Sequence, residues 1–315
     1  MITKYHLPIS QRAQNFRRPK NELILIYFKY NRFMNREIFL CAINNILSGT
    51  CKEDCKFCTQ SVRYHANIQR YNYKSIDTIV TEAKQAKSNG ALGYCLVTAG
   101  KGLDDKKVEF VAKSAIAIKK EVDGLNLIAC NGIASLEQLK FLKEHGIDSY
   151  NHNLESSKAY YDTICSTHSW EERYQTCINV KEANLQLCTG GIWGMGESVE
   201  DRDELLKAIV SLNPDSTPLN FYIPNPALPI KNRNITKDEA LSVIKKAREA
   251  LGEKKLLMVA GGREHIFSGS EKEMFEAGAN SIVIGDYLTT SGDEPNRDIS
   301  MLESIGYKVA TSCNG

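Results

Sequence analysis

No apolar run in this 315-residue chain approaches the ~20 residues that a membrane span needs. The longest apolar cluster near the N-terminus, LILIYF at 23–28, is shorter than the core of a secretion signal, and no small-residue cleavage site follows it. Net charge is small too. Forty Lys and Arg against 38 Asp and Glu leave +2, which predicts neither a nucleic-acid nor a membrane partner, and the expected compartment is the cytoplasm. The charge is unevenly placed: residues 1–33 hold seven Lys or Arg against the single acid Glu22. Taking that +6 from the total of +2 leaves −4 on residues 34–315, a mildly acidic body.

Cysteine is plentiful by contrast. Ten cysteines in a chain without an export signal read as reduced thiols used as metal ligands, not as a disulfide framework. Three of them, Cys51, Cys55 and Cys58, fall within CKEDCKFCTQS at 51–61. Three thiols cannot pair off among themselves, and they are one short of the four ligands that close a tetrahedral zinc or a simple iron-sulfur site. Either a further ligand such as His65 completes a structural zinc site, or one coordination position stays open for a small molecule.

From about residue 37 the chain repeats one theme: a short apolar or β-branched run, a Gly-rich or polar loop, then a helical pattern. The runs are EIFLCAI (37–43), GYCLVTA (93–99), LNLIAC (125–130), SYNHNL (149–154), LQLCTGGI (185–192), PLNFYI (218–223), LLMVAG (256–261) and SIVIGD (281–286). Between them lie segments such as SLEQLKFLKEHG and TKDEALSVIKKAREALG, with apolar positions three and four apart. Strands alternating with helices imply parallel crossovers, and eight units predict an α/β fold of the (β/α)8, TIM-type barrel class; an open Rossmann-type sheet is the alternative. The barrel is expected over residues 34–315. Residues 1–33 are expected to be a basic N-terminal extension: an arm, a targeting peptide or residues upstream of a functional start at Met34.

A barrel places its active site at the C-terminal ends of its strands. The unusual residues fall there: Cys95 and Cys130 in the second and third runs, Asn151 and Asn153 in the fourth, Cys188 in the fifth, Asn220 in the sixth and Arg263 just after the seventh. Since alternate strand residues face the interior, Cys95, Cys130 and Cys188 can converge. A buried cysteine is more commonly a small hydrophobe; Cys41, Cys165, Cys177 and Cys313 share no placement and read as packing or surface thiols, with a reactive role also open to Cys313. His152 is turned away from its flanking asparagines by strand alternation and reads as structural. GGIWGMGE does not fit G-x-G-x-x-G; its glycines are expected to let backbone approach a ligand. Pro224, Pro226 and Pro229 make FYIPNPALPI a rigid, non-helical loop.

The C-x3-C-x-Φ-C pattern with Phe57 at Φ, in the loop after a first strand, resembles the signature of the radical S-adenosylmethionine superfamily. Taken with the strand cysteines, YNHNLE at 150–155, CTGGIWGMGES at 188–198 and VAGGRE at 259–264, the chain over about residues 34–313 resembles the biotin synthase family. That resemblance implies a sulfurtransferase in which Cys51, Cys55 and Cys58 hold a 4Fe-4S cluster that cleaves S-adenosyl-L-methionine. It implies that a 2Fe-2S cluster on Cys95, Cys130, Cys188 and Arg263 gives the sulfur inserted into dethiobiotin. Phe57, Asn153, Glu155 and Arg173 would contact S-adenosylmethionine, Asn153 and Glu155 at the ribose and Arg173 at the carboxylate. Asn151, Asn153 and Asn220 would hydrogen-bond the cyclic urea of dethiobiotin, and Thr289 and Thr290 its valerate carboxylate. An electron donor such as flavodoxin and a homodimer are implied in the same way.

Each residue also has a plainer role open to it. A guanidinium ordinarily stays protonated, so Arg263 can form a salt bridge to a carboxylate or to a bound ligand. An Asn at a strand end can satisfy backbone, and a Thr pair can cap a helix. Rival functions are a hydrogenase-cluster maturase with the same barrel and first motif, or an iron-sulfur or zinc scaffold without turnover.

Overall fold

The computed structural model describes residues 37–287, 292 and 294–312, so the extension at 1–33 lies outside the described residues. The strands are β1 (Glu37–Leu47), β2 (Gly93–Thr98), β3 (Asn126–Cys130), β4 (Ser149–Asn151), β5 (Gln186–Cys188), β6 (Gly191–Trp193), β7 (Ser216–Phe221), β8 (Leu256–Val259), β9 (Ser281–Ile284) and β10 (Lys308–Val309). The helices are α1 (Ile76–Ser88), α2 (Asp105–Glu121), α3 (Leu136–Glu144), α4 (Lys158–Ile164), α5 (Trp170–Glu182), α6 (Val199–Ser211), α7 (Lys237–Leu251), α8 (Arg263–Phe267), α9 (Glu271–Glu276) and α10 (Pro295–Ser304).

All strand pairings are parallel, and β1 pairs with β2 on one side and β9 on the other. That closure makes the sheet a (β/α)8 barrel and rules out the open Rossmann-type alternative. Sequence explains where the helices begin. Ser135, Ser169, Ser198 and Thr236 each accept a bond from the backbone N–H three residues on, and Gln138, Glu172, Asp201 and Glu239 return it. Such reciprocal caps satisfy two orphaned donors at once, and loss of an N-cap side chain typically costs about 1 kcal/mol.

The two faces of the strands do different work. Leu96, Leu127, Leu187, Leu219 and Val259 point outward and are fully buried among helix residues such as Val111, Leu139 and Ile244. The alternate positions Cys41, Met258, Ala260 and Val283 meet one another in a separate cluster with Ile43 and Ile128, which is the barrel interior.

The structure departs from the eight expected runs in two places. The fifth run is two three-residue strands: β5 pairs with β4, β6 pairs with β7, and Thr189 and Gly190 form the break. A Cβ on Gly190 would lie 1.9 Å from the Pro218 carbonyl oxygen, so the stave is pressed against β7 where only glycine fits. In addition β10, which lies on the far side of β1 from the cysteine loop, pairs with Glu37 and Ile38. A two-residue strand gives no periodicity to read. No described helix is long and apolar enough to cross a membrane.

Candidate active site and metal centres

Cys51, Cys55 and Cys58 sit in the loop that leaves β1 at the mouth of the barrel. Backbone bonds shape it: Cys51 N donates to Gln60 O at 3.2 Å, Val62 N to Cys51 O at 2.7 Å and Cys58 N to Cys55 O at 3.0 Å. The loop is also tied across the barrel mouth. Asp54 accepts from Ser166 N at 2.9 Å and Thr167 Oγ1 at 3.0 Å, and Lys56 N donates to Ile164 O at 2.9 Å. Burial works against the Asp54 charge, but the bonds from Ser166 and Thr167 outweigh it and hold the carboxyl well below its ordinary range. Phe57, half-buried, packs against an apolar cluster that includes Tyr161, Met195 and Tyr222.

A cavity of about 150 Å³ joins this loop to the interior, lined by Cys51, Cys55, Cys58, Cys130, Asn151 and Glu155 among others. Two oxygens in its wall are buried without a hydrogen-bond partner, Asn151 Oδ1 and Glu155 Oε2. The other oxygen of Glu155 pairs with Arg173 Nη2 at 2.9 Å, and Arg173 Nε donates to Asn153 O at 2.6 Å. Burial pushes the Glu155 carboxyl up against the pull of Arg173. Its backbone adopts φ 67°, the left-handed region that a non-glycine residue occupies at a cost of about 1–2 kcal/mol. That turn lets Glu155 O accept from Ile192 N at 2.8 Å, where Gly191 has no space for a Cβ beside Glu155 O and Leu205. A Cβ at Gly190 or Gly191 would therefore run into protein backbone or side chain.

Deeper in, Cys95 and Cys130 lie on adjacent strands β2 and β3, and Cys188 on β5 aligns with Asn151 of β4 and Ser216 of β7. Cys95 is raised well above the ordinary thiol range, first by its hydrogen bond with Cys130 and then by burial. Burial pushes Cys188 and Cys58 each up to about 12, and raises Cys51 as well. Without a metal these thiols keep their protons. A metal that stabilises the thiolates recovers the desolvation cost, so the set suits cluster ligation better than nucleophilic chemistry.

Arg263, first residue of α8, is 2% exposed, with Nη2 2.7 Å from Asp298 Oδ1 on α10 and 3.0 Å from Glu264 Oε1. The salt bridge open to it on residue type alone is formed. Its Nε nonetheless has no hydrogen-bond partner, which leaves a polar atom for a bound group. Asn220 spends its amide on backbone, accepting from Gly261 N at 3.0 Å and donating to Gly191 O at 3.1 Å. Thr289 and Thr290 lie outside the described residues, as does Cys313. His152 is buried and held neutral, first by burial and then by Arg173. His65 is exposed and belongs to no group of converging ligand atoms among the described residues.

The radical SAM superfamily profile matches residues 45–209. The profile of the biotin and thiamin synthesis associated domain matches residues 218–308. The biotin synthase of Sulfurovum sp. (strain NBC37-1) is 73% identical over 279 residues, 89% of this chain and 98% of that protein. The chain belongs to the biotin synthase family. The family's member from a Nitratiruptor species is 58% identical, covering 88% of this chain and 99% of its own length. Methylornithine synthase shares the fold with a TM-score of 0.75 at 20% identity, over 93% of this chain and 90% of that one. The hydrogenase maturase HydG of Carboxydothermus hydrogenoformans does so with 0.76 at 15% identity, over 91% and 71%. At those identities the two likenesses speak for the fold alone. As a member of the biotin synthase family the chain is a radical SAM enzyme, and family membership implies a 4Fe-4S cluster and S-adenosylmethionine. The three free motif thiols and the unpartnered Glu155 oxygen beside them fit both groups.

Sequence reasoning missed two residues of the biotin synthase-type mouth. Cys165 and His168, in ICSTH at 164–168, stand beside Cys55, and His168 Nδ1 lies 2.9 Å from Glu53 Oε2. The available signal was the C-x2-H spacing, which is that of metal-ligand pairs.

Proposed function

We propose that this protein converts dethiobiotin to biotin by radical sulfur insertion, with Cys51, Cys55 and Cys58 holding a 4Fe-4S cluster and Cys95, Cys130, Cys188 and Arg263 holding a 2Fe-2S cluster. The observation that carries the reading is a single cavity that joins the three motif thiols and Cys130 to two buried, unpartnered oxygens. When bound, the first cluster and S-adenosylmethionine supply hydrogen abstraction and the second cluster supplies sulfur.

The chain's own residues bind and orient. Glu155, fixed by Arg173 and its left-handed backbone, turns one carboxylate oxygen to the cavity for ribose hydroxyls, with Asn153 and Phe57 beside it. Arg173 already carries Glu155 and Asn153 O, and its remaining donors serve the ligand carboxylate. Asn151 offers its free oxygen to a urea N–H, and Asn220, bonded to Gly191 O and Gly261 N, keeps its second N–H and second oxygen lone pair for the same ligand. Thr289 and Thr290 take the valerate carboxylate. Residues 34–315 form the catalytic unit and 1–33 an accessory extension. We place the protein in the cytoplasm as a homodimer served by a donor such as flavodoxin.

The test is an anaerobic assay of reconstituted protein with S-adenosylmethionine, reductant and dethiobiotin, in which 5′-deoxyadenosine and biotin are quantified together. Both products are expected. Deoxyadenosine without biotin, in protein that carries both clusters, would send the radical chemistry to another substrate. A substitution refines the reading: Asn151→Ala removes one hydrogen bond to the ligand, so KM for dethiobiotin should rise roughly tenfold while KM for S-adenosylmethionine stays within about twofold. Equal increases in both would take Asn151 away from the urea.

A further inference from the structure

Three ligand atoms from two separate loops converge at the barrel mouth. Cys55 Sγ and Cys165 Sγ are 3.6 Å apart, His168 Nε2 is 3.8 Å from Cys165 Sγ, and it is 4.0 Å from Cys55 Sγ. Zinc bonds of about 2.3 Å to sulfur and about 2.0 Å to nitrogen give tetrahedral edges of roughly 3.8 Å between sulfurs and roughly 3.5 Å between sulfur and nitrogen. One face of such a tetrahedron is therefore already in place to within about half an ångström.

One contact favours the tautomer that ligation needs. Arg173 Nη1 lies 3.3 Å from His168 Nε2, and because arginine only donates, Nε2 carries the lone pair. Nδ1, 2.9 Å from Glu53 Oε2 and 3.3 Å from Cys165 Sγ, is then the donor, and its pairing with Glu53 is the carboxylate–imidazole arrangement that orients a metal-binding histidine. A metal ion would take the lone pair that Arg173 now contacts, so the Nη1 end of the guanidinium must move off Nε2 as the ion enters. Cys165 and His168 are 1% and 7% exposed, so neither ligand must be ordered from solution. Their turn is fixed by Asp54, the residue before Cys55, which accepts from Ser166 and Thr167.

We propose that Cys55, Cys165 and His168 form a binding site for a single divalent, thiophilic ion of the zinc class, filled when the 4Fe-4S cluster is absent. The site uses one thiol of the cluster motif and two ligands the motif lacks. An ion held there withdraws Cys55 from Cys51 and Cys58, so it competes with the cluster instead of supporting it. This competition rests on the cluster assignment above; the ion's binding does not.

The test uses the full chain, freed of metal under anaerobic reducing conditions and titrated with Zn²⁺ against a chromophoric chelator. Cys165→Ala and His168→Gln should each weaken one zinc equivalent by roughly 100-fold, and Cys58→Ala should leave it within about twofold. Equal affinity in wild type and Cys165→Ala, or loss of the same equivalent in Cys58→Ala, would overturn the site. A second measurement needs no variant. One zinc per wild-type chain should slow alkylation of Cys55 and Cys165 about tenfold, read by mass spectrometry, while Cys58 stays as reactive as before. Protection of Cys58 with no change at Cys165 would put the ion on the cluster motif and refute the proposal. Because both readouts use cluster-free protein without substrate, a failure here leaves the biotin assay to stand or fall separately.

Discussion

Cys58→Ala is expected to eliminate 5′-deoxyadenosine formation, by roughly three orders of magnitude or to the detection limit. The loop it belongs to has only three motif thiols, and among the described residues no nearby group replaces the missing one. Cys165 and His168 stand on the Cys55 side, where they compete for Cys55 instead of substituting for Cys58. The fold should survive. The backbone N–H bond of Cys58 to Cys55 O does not involve the side chain, and the loop remains anchored through Asp54 and Lys56. Loss of one sulfur at such a position costs about 1 kcal/mol or less, so the melting temperature should shift by only a few degrees. Thermal unfolding measured beside the deoxyadenosine assay separates the two effects. Substantial deoxyadenosine from a folded, cluster-reconstituted Cys58→Ala protein would overturn the assignment of this thiol.

Cys188→Ala should have the complementary effect: biotin formation stops while S-adenosylmethionine cleavage continues. Cys188 is a strand residue of the interior, level with Asn151 and Ser216, and it makes no bond to the loop that carries Cys51, Cys55 and Cys58. Its removal therefore leaves the first centre's anchors intact. Its thiol, pushed up to about 12 mainly by burial, is uncharged in the metal-free chain, so alanine strands no buried charge. The expected phenotype is a normal iron-sulfur signature at the first centre, absence of the second, and a fall in biotin yield of roughly a hundredfold or more. Equal loss of both clusters in this variant would undermine the two-centre assignment.

Much of this architecture was legible because local and global signals agree. The helices begin at Ser-x-x-Gln, Ser-x-x-Glu, Ser-x-x-Asp and Thr-x-x-Glu boxes, and the outward strand positions Leu96, Leu127 and Leu187 alternate with Cys95, Ile128 and Cys188 as period two requires. What stayed hidden depends on contacts between distant residues. Gly190 breaks the fifth stave because Pro218 O lies in its way, and that contact crosses to another strand. Asp298 lies 35 residues beyond Arg263, on a helix whose placement no pattern fixes, yet it supplies the pairing charge. Cys165 read as packing because its partners, Cys55 and Asp54, are 110 and 111 residues away. Asn220 carries the signature of a strand-end asparagine, and only the geometry shows that Gly191 and Gly261 occupy both ends of its amide.

The seam of the barrel has a consequence for biogenesis. β1 is sealed on one side by β9, and Ser281 Oγ donates to Phe39 O across 242 residues of sequence. Closing so long a loop is a late event in folding, because its entropy must be lost before the pairing rewards it. During synthesis the wall that bears Cys41 and Cys95 stays open to solvent until residues 281–284 have left the ribosome. Enclosure of the inner face of β1 and β2 therefore waits on the docking of the last stave.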